Sequence, residues 1–159
     1  MIYRKILLLG DFNVGKTSLI KRFVEDSFND TYLSTIGVKI SKKNINLTNQ
    51  SFELLIWDIE GETSQKTIST NYFRGASGAI FVADITREKS RLNLSKHIEV
   101  FKSFNPNGKY VIAYNKADLL SSEQIEEIEI EKEAFLTSAK DNINVNDLFE
   151  TLASMVYTK

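Results

Sequence analysis

The chain has 159 residues, enough for one domain with a well-buried core and too few for a separate substrate domain. Its 42% hydrophobic and 26% charged residues, 10 Phe and single Pro exclude a disordered chain, and a net charge of -1 without a basic tract excludes a general nucleic-acid or anionic-membrane surface. The absence of Cys excludes a disulfide framework, a thiolate metal site and a cysteine nucleophile, and no apolar run approaches the ~20 residues of a membrane span, so a cytoplasmic protein is expected.

Residues 2–9 read as a buried strand, short and almost continuously apolar. The run Ile6-Leu7-Leu8-Leu9 leads into Gly10-Asp11-Phe12-Asn13-Val14-Gly15-Lys16-Thr17, which matches G-x-x-x-x-G-K-[ST] between a strand and a helix. Gly15 lets the backbone come close to a phosphate. The successive N–H groups of Asn13, Val14, Gly15, Lys16, Thr17 and Ser18 form an anion cradle at the positive end of a helix. Lys16 is then expected to reach the outer phosphates and the Thr17 hydroxyl to hold Mg²⁺. Leu19, Ile20, Phe23 and Val24 share one face of the helix that follows, and residues 25–37 form a long polar loop.

Val38–Leu47 alternates imperfectly, residues 52–57 are again β-rich, and Asn49-Gln50-Ser51 between them reads as a hairpin turn, which predicts one antiparallel pair. A second polar loop spans 59–71. Gly78–Asp84 is a buried strand, followed by a helix carrying Leu94, Ile98 and Phe101 on one face, and residues 110–114 form the next strand. His97 on that helix reads as solvated or capping. The acidic stretch 121–133 fits a short helix from near Ser122, although Ile128-Glu129-Ile130 also alternates like a strand; its glutamates read as a solvated face. Residues 134–137 make a last short strand, and Asn144 is placed to cap a helix with Val145, Leu148, Phe149, Leu152 and Val156 on one side. The alternation predicts an α/β three-layer sandwich around a mostly parallel six-stranded sheet with one antiparallel edge strand.

Ligands of such sheets sit at the carboxyl ends of the strands. There Asp58-Ile59-Glu60-Gly61 places a carboxylate to hold Mg²⁺ opposite Thr17 and a glycine N–H, that of Gly61, toward a terminal phosphate. In Asn115-Lys116-Ala117-Asp118, one carboxylate can accept both N1–H and N2–H₂ of guanine, whereas adenine offers no such donor pair; an isolated N-K-x-D reads better as an Asx turn at the strand end. Ser138-Ala139-Lys140 closes the last strand and can bring a backbone N–H to the guanine oxygen. Phe28 is either a core plug or a ring against the base.

Together these stretches resemble the Ras superfamily of small GTPases, the Rab branch most closely. The likeness includes Tyr32-Leu33-Ser34-Thr35-Ile36-Gly37-Val38, Trp57-Asp58, Tyr72-Phe73-Arg74-Gly75-Ala76 and Thr137-Ser138-Ala139-Lys140, and covers nearly the whole chain. It implies a P-loop fold with residues 1–159 as a single G domain that binds GTP or GDP with Mg²⁺. Thr17, Thr35 and Asp58 would hold the metal, and Lys16, Thr35, Gly61 and position 62 would serve hydrolysis. The same likeness implies effector proteins at two switch loops and at an apolar surface of Ile40, Trp57 and Tyr72. It further implies an exchange factor and an activating protein. The family's usual prenylated Cys tail has no counterpart in this Cys-free sequence, so a monomer with no direct lipid anchor in this chain, recruited to membranes through partners, is expected.

Three departures stand out. Glu62 replaces the family's water-orienting Gln, Ile59-Glu60 replaces a Thr-Ala pair, and Phe12 replaces a small residue. A carboxylate at position 62 accepts from water but cannot donate to a phosphate, and its charge is repelled there. The expected function is therefore a switch that hydrolyses GTP slowly. The alternative is a non-hydrolysing GTP-binding recruitment module; a P-loop metabolic kinase is disfavoured because no acceptor site is apparent. The connection from Asp118 to Thr137 is also short for the family, so its helix is expected to be lost or reduced to a turn.

Overall fold

A computed structural model describes residues 2–28, 37–59 and 69–157. Six strands, β1 (Tyr3–Gly10), β2 (Val38–Leu47), β3 (Gln50–Ile59), β4 (Gly78–Asp84), β5 (Lys109–Asn115) and β6 (Ala134–Leu136), form one sheet in the order β2-β3-β1-β4-β5-β6. Only β2 runs antiparallel, against β3 at the edge. The helices are α1 (Lys16–Glu25), α2 (Glu88–Leu92), α3 (Leu94–Phe104), α4 (Ser122–Glu127) and α5 (Val145–Tyr157).

The continuous apolar run of β1 is explained by coverage on both faces. Ile6 and Leu8 join the cluster under α1 and α5, with Phe23, Leu148, Phe149 and Leu152, while Leu7 and Leu9 join the cluster under α3, with Leu94 and Phe101. All four β1 residues are essentially fully buried, and each such side chain contributes about 1.5–3 kcal/mol. Phe23 and Phe149 stack with centroids 4.2 Å apart and fix α1 against α5.

Several boundaries differ from the sequence reading. Leu47 pairs with Gln50, so the hairpin turn is Thr48-Asn49 and β3 starts earlier and ends at Ile59. The predicted single helix after β4 is two, broken at Asn93, whose side chain is drawn to the phosphate loop. Position 97 is corrected as well: His97 is buried and bonded, not solvated. Asn144 does precede α5, in a left-handed conformation, and donates its side-chain amide to Leu136 O.

The ambiguous stretch 121–133 resolves into both features in sequence. Ser121 accepts from Gln124 N while the Gln124 side chain accepts from Ser121 N, a capping box that starts α4. Beyond it, residues 128–131 form no strand and 132–133 turn into β6. Ile128 and Ile130 lean on the α3-side cluster, and Tyr114 OH donates to both Glu131 oxygens at 2.8 Å. The strand-like alternation is thus an inside-outside pattern on a strap, not a ladder.

Candidate functional site

The loops after β1, β4, β5 and β6 and the end of β3 converge at one end of the sheet. Two glycines allow the first of them. A Cβ on Gly10 would lie 2.2 Å from Val82 O, and a Cβ on Gly15, at φ +102°, would lie 2.2 Å from Asn115 Nδ2.

The carbonyls of this loop are held from behind. Arg87 Nη1 donates to Phe12 O at 2.9 Å and to Asn13 O at 3.3 Å, Lys116 Nζ to Asn13 O at 3.0 Å, and Asn115 Nδ2 to Val14 O at 3.1 Å. In a planar trans peptide the N–H points opposite its C=O. Clamping these three carbonyls therefore turns the N–H groups of Asn13, Val14 and Gly15 outward from the clamps, the arrangement of an anion nest. Asn115 is itself fixed, accepting from the hydroxyl of fully buried Thr137 at 3.0 Å. Lys116 is fixed by Asp84 at 3.2 Å. Burial alone would raise the Asp84 carboxyl, but the Thr86 hydroxyl and N–H, with Lys116, hold it below its ordinary value.

Lys16 opens α1 and is buried, with Nζ donating to Gly10 O at 3.3 Å and Asp11 O at 3.1 Å. Burial pushes its ammonium down to about 8, against the opposing pull of Asp58 and Asp11. The next residue, Thr17, donates its hydroxyl to Asp58 Oδ2 at 2.6 Å, so the end of β3 and the start of α1 present a hydroxyl and a carboxylate side by side. Such hard oxygen donors fit Mg²⁺. Ser18 lies half-buried one residue further along α1.

On the β5 and β6 side, Ser138 Oγ donates to Asp118 Oδ1 at 2.8 Å and accepts from Asp141 N at 2.9 Å. Arg22 of α1 donates to Ala139 O at 2.8 Å and Lys140 O at 3.0 Å, tying the loop after β6 to the helix that follows the phosphate loop. Phe28 is half-buried and packs against the α1 and α5 cluster. Thr35, Gly61 and Glu62 lie outside the described residues, as does Glu60.

Sequence reasoning missed four contributors. Arg22 and Arg87 act over 117 and 75 residues of chain on backbone oxygens, which no local pattern announces. Asn93 and His97 bind the Asp11 side chain from α3. Away from the phosphate loop, Ile40 faces Trp57 across the β2–β3 pair, the Trp57 and Tyr72 rings lie 6.2 Å apart, and Lys5 Nζ sits 3.7 Å over the indole.

A nest of outward amides, a buried lysine at a helix start and paired oxygen donors, all at the carboxyl end of a mostly parallel sheet, define a P-loop nucleotide-binding protein. A profile of the Ras family matches residues 5–158, and the chain belongs to that family. It is 39% identical over 163 residues to Ras-related protein Rab-13 of Bos taurus, covering 98% of this chain and 80% of the relative. Ras-related protein Rab-8 of Diplobatis ommata and Rab-8B of Homo sapiens are each 41% identical over 163 residues, covering 98% of this chain and 78% and 79% of theirs. The chain is accordingly a Rab-like small GTPase, a GTP-binding switch of a family that binds GTP or GDP with Mg²⁺ and works through effectors, exchange factors and activating proteins.

Proposed function

We propose that this single G domain, residues 1–159, binds GTP and GDP through the clamped phosphate loop and hydrolyses GTP slowly, with Glu62 in the place of the water-orienting Gln. The observation that carries the binding half is the clamp itself, three carbonyls held so that three consecutive amides are free to meet a polyanion. Lys16 would turn from Gly10 O and Asp11 O to the outer phosphates, exchanging weak acceptors for charged ones. Thr17, Asp58 and Thr35 would hold Mg²⁺, which when bound neutralises phosphate charge. Asp118, its carboxylate oriented by Ser138, would read the two guanine donors, with Asn115, Lys116, Ala139 and Lys140 shaping the base pocket and Phe28 beside it. Gly61 N–H would meet the terminal phosphate.

The catalytic half rests on chemistry at position 62. A carboxylate can accept from the attacking water but cannot donate to the phosphate as an amide does, so turnover is slow and is not raised by an activating protein that depends on Gln. Single-turnover GTP hydrolysis by the wild type beside Glu62→Gln tests this: the variant should be faster and stimulated by a Gln-dependent activating protein, and identical behaviour of the two would refute it. The second reading, a non-hydrolysing recruitment module, is favoured by Phe12, whose exposed ring stands on the phosphate loop where an incoming arginine would pass. Multiple-turnover phosphate release separates the two readings.

Effectors are proposed to dock on the Ile40, Trp57 and Tyr72 surface, where Ile40 is 47% exposed. The protein would be a cytoplasmic monomer recruited to membranes through partners; among the described residues no helix is long and apolar enough to cross one.

A further inference from the structure

We propose that His97 is a positioning residue for nucleotide binding: with Asn93 it holds the Asp11 carboxylate against α3, and its protonation slows nucleotide release. The proposal rests on the nucleotide-binding reading of the loop after β1.

Asp11 follows Gly10 at the start of that loop, and its two carboxylate oxygens are taken by Asn93, at the break just before α3, and by His97 of α3. Asn93 Nδ2 donates to Oδ2 at 2.7 Å, and His97 Nε2 lies 3.1 Å from Oδ1. Asn93 and His97 are four residues apart and so share one helix face. The pair is enclosed, with side-chain exposures of 6% for His97 and 12% for Asp11. The backbone carbonyl of Asp11 accepts from Lys16 Nζ, so the residue that His97 holds lies directly beside the lysine that the proposed function turns toward the phosphates.

A carboxylate facing Nε2 at this distance requires a proton on that nitrogen, which fixes the tautomer of the neutral ring. Protonation then adds charge without breaking the bond and makes it charge-assisted. An imidazole changes charge between about pH 5 and 8. Asp11 is an anion beside a site for a polyanion; the imidazolium cancels it and strengthens the hold on the loop.

The other charges around the pair come from several elements. Lys16 and Arg87 donate to backbone oxygens of the loop, and Lys116 does so while paired with Asp84. On β1, Lys5 is engaged with Arg74 O and the Trp57 ring. Lys96 and Glu99 on α3, and Glu88, Lys89 and Arg91 on α2, are exposed. Among the described residues His97 alone carries an imidazole, because the chain has 1 His.

The test follows release of mant-GDP from the full Mg²⁺-loaded chain between about pH 6 and 8 for the wild type, His97→Gln and His97→Phe, with circular dichroism confirming that each is folded. Wild-type release should slow roughly three- to tenfold as pH falls through that window. The Gln variant, which keeps an N–H donor, should match the wild-type rate near pH 8 and lose the pH dependence. The Phe variant should release faster throughout. A second readout is the nuclear magnetic resonance signal of the lone imidazole's Nε2–H, which the bond to Asp11 should protect from exchange in the wild type and which should be lost or displaced in Asp11→Asn. Equal pH dependence in wild type and Gln variant, or an unmoved Nε2–H signal in Asp11→Asn, would overturn the proposal. Failure of the wild type to retain mant-GDP at any pH would overturn the nucleotide reading beneath it, while the Nε2–H signal in Asp11→Asn would still report on the pair.

Discussion

At Gly15 the space for a side chain is already taken: the Asn115 amide that holds Val14 O fills the volume where a Cβ would go. Gly15→Ala should therefore fold but displace that amide, unclamp Val14 and weaken GDP binding roughly 5- to 100-fold, as a dissociation-constant measurement would show. Ser138→Ala makes a subtler change. It frees one oxygen of Asp118 and leaves Asp141 N without its acceptor, so GDP affinity should drop roughly tenfold at nearly unchanged ATP affinity. Equal losses for both nucleotides would assign Ser138 to the loop's integrity and not to base reading. The residues proposed to touch ligand stand out in the sequence because their chemistry needs fixed types at fixed offsets. Those that hold them do not. Arg22, Arg87 and His97 act on groups distant in sequence, and a lone histidine or arginine on a helix carries no mark of what the fold will place opposite it.

Among the elements, strands and long helices were legible from period and length, since a two-faced sheet demands continuous apolar strands and a one-faced helix demands spacing of three and four. Boundaries failed where no apolar period marks them: the helix after β4 is interrupted at Asn93, whose side chain donates to Asp11, and the strap after α4 looks like a strand because it too has an inner and an outer side. Tyr114 anchors that strap. Its hydroxyl is pushed up to about 12 by burial first and then by its bond to Glu131. A phenol protonated more firmly in the folded chain than in the unfolded one adds stability fully present below about pH 10 and lost as pH rises to about 12. Solvent near the strap reduces the effect to about 1–2 kcal/mol. Tyr114→Phe should melt lower than wild type near neutrality by a few degrees, and the gap should close between about pH 10 and 12. A gap that stays constant would locate the tyrosine's contribution in packing alone.

For the whole molecule, the site is where otherwise separate pieces meet. The sheet interior is sealed on both faces by apolar clusters, but at its carboxyl end the loops after β1, β4, β5 and β6 are joined by polar contacts that concentrate buried or half-buried cations, Lys16 and Lys116 among them. Lys16 donates to two backbone carbonyls, and burial holds its ammonium below the ordinary lysine range. On the nucleotide reading, the phosphates would give Lys16 a counter-charge while the base meets the loops after β5 and β6, so the nucleotide should act as a stabiliser of the entire fold and not of one loop. Ligand in about 1,000-fold excess over its dissociation constant adds about 4 kcal/mol. At roughly 2–4 °C per kcal/mol for a chain of this size, melting in Mg²⁺ and excess GDP should exceed melting after chelation and nucleotide removal by about 10 °C. ATP at the same concentration should give a much smaller shift, because Asp118 finds no donor pair on adenine. A melting temperature indifferent to GDP would mean that the clamped amides, although turned outward together, do not hold a phosphate.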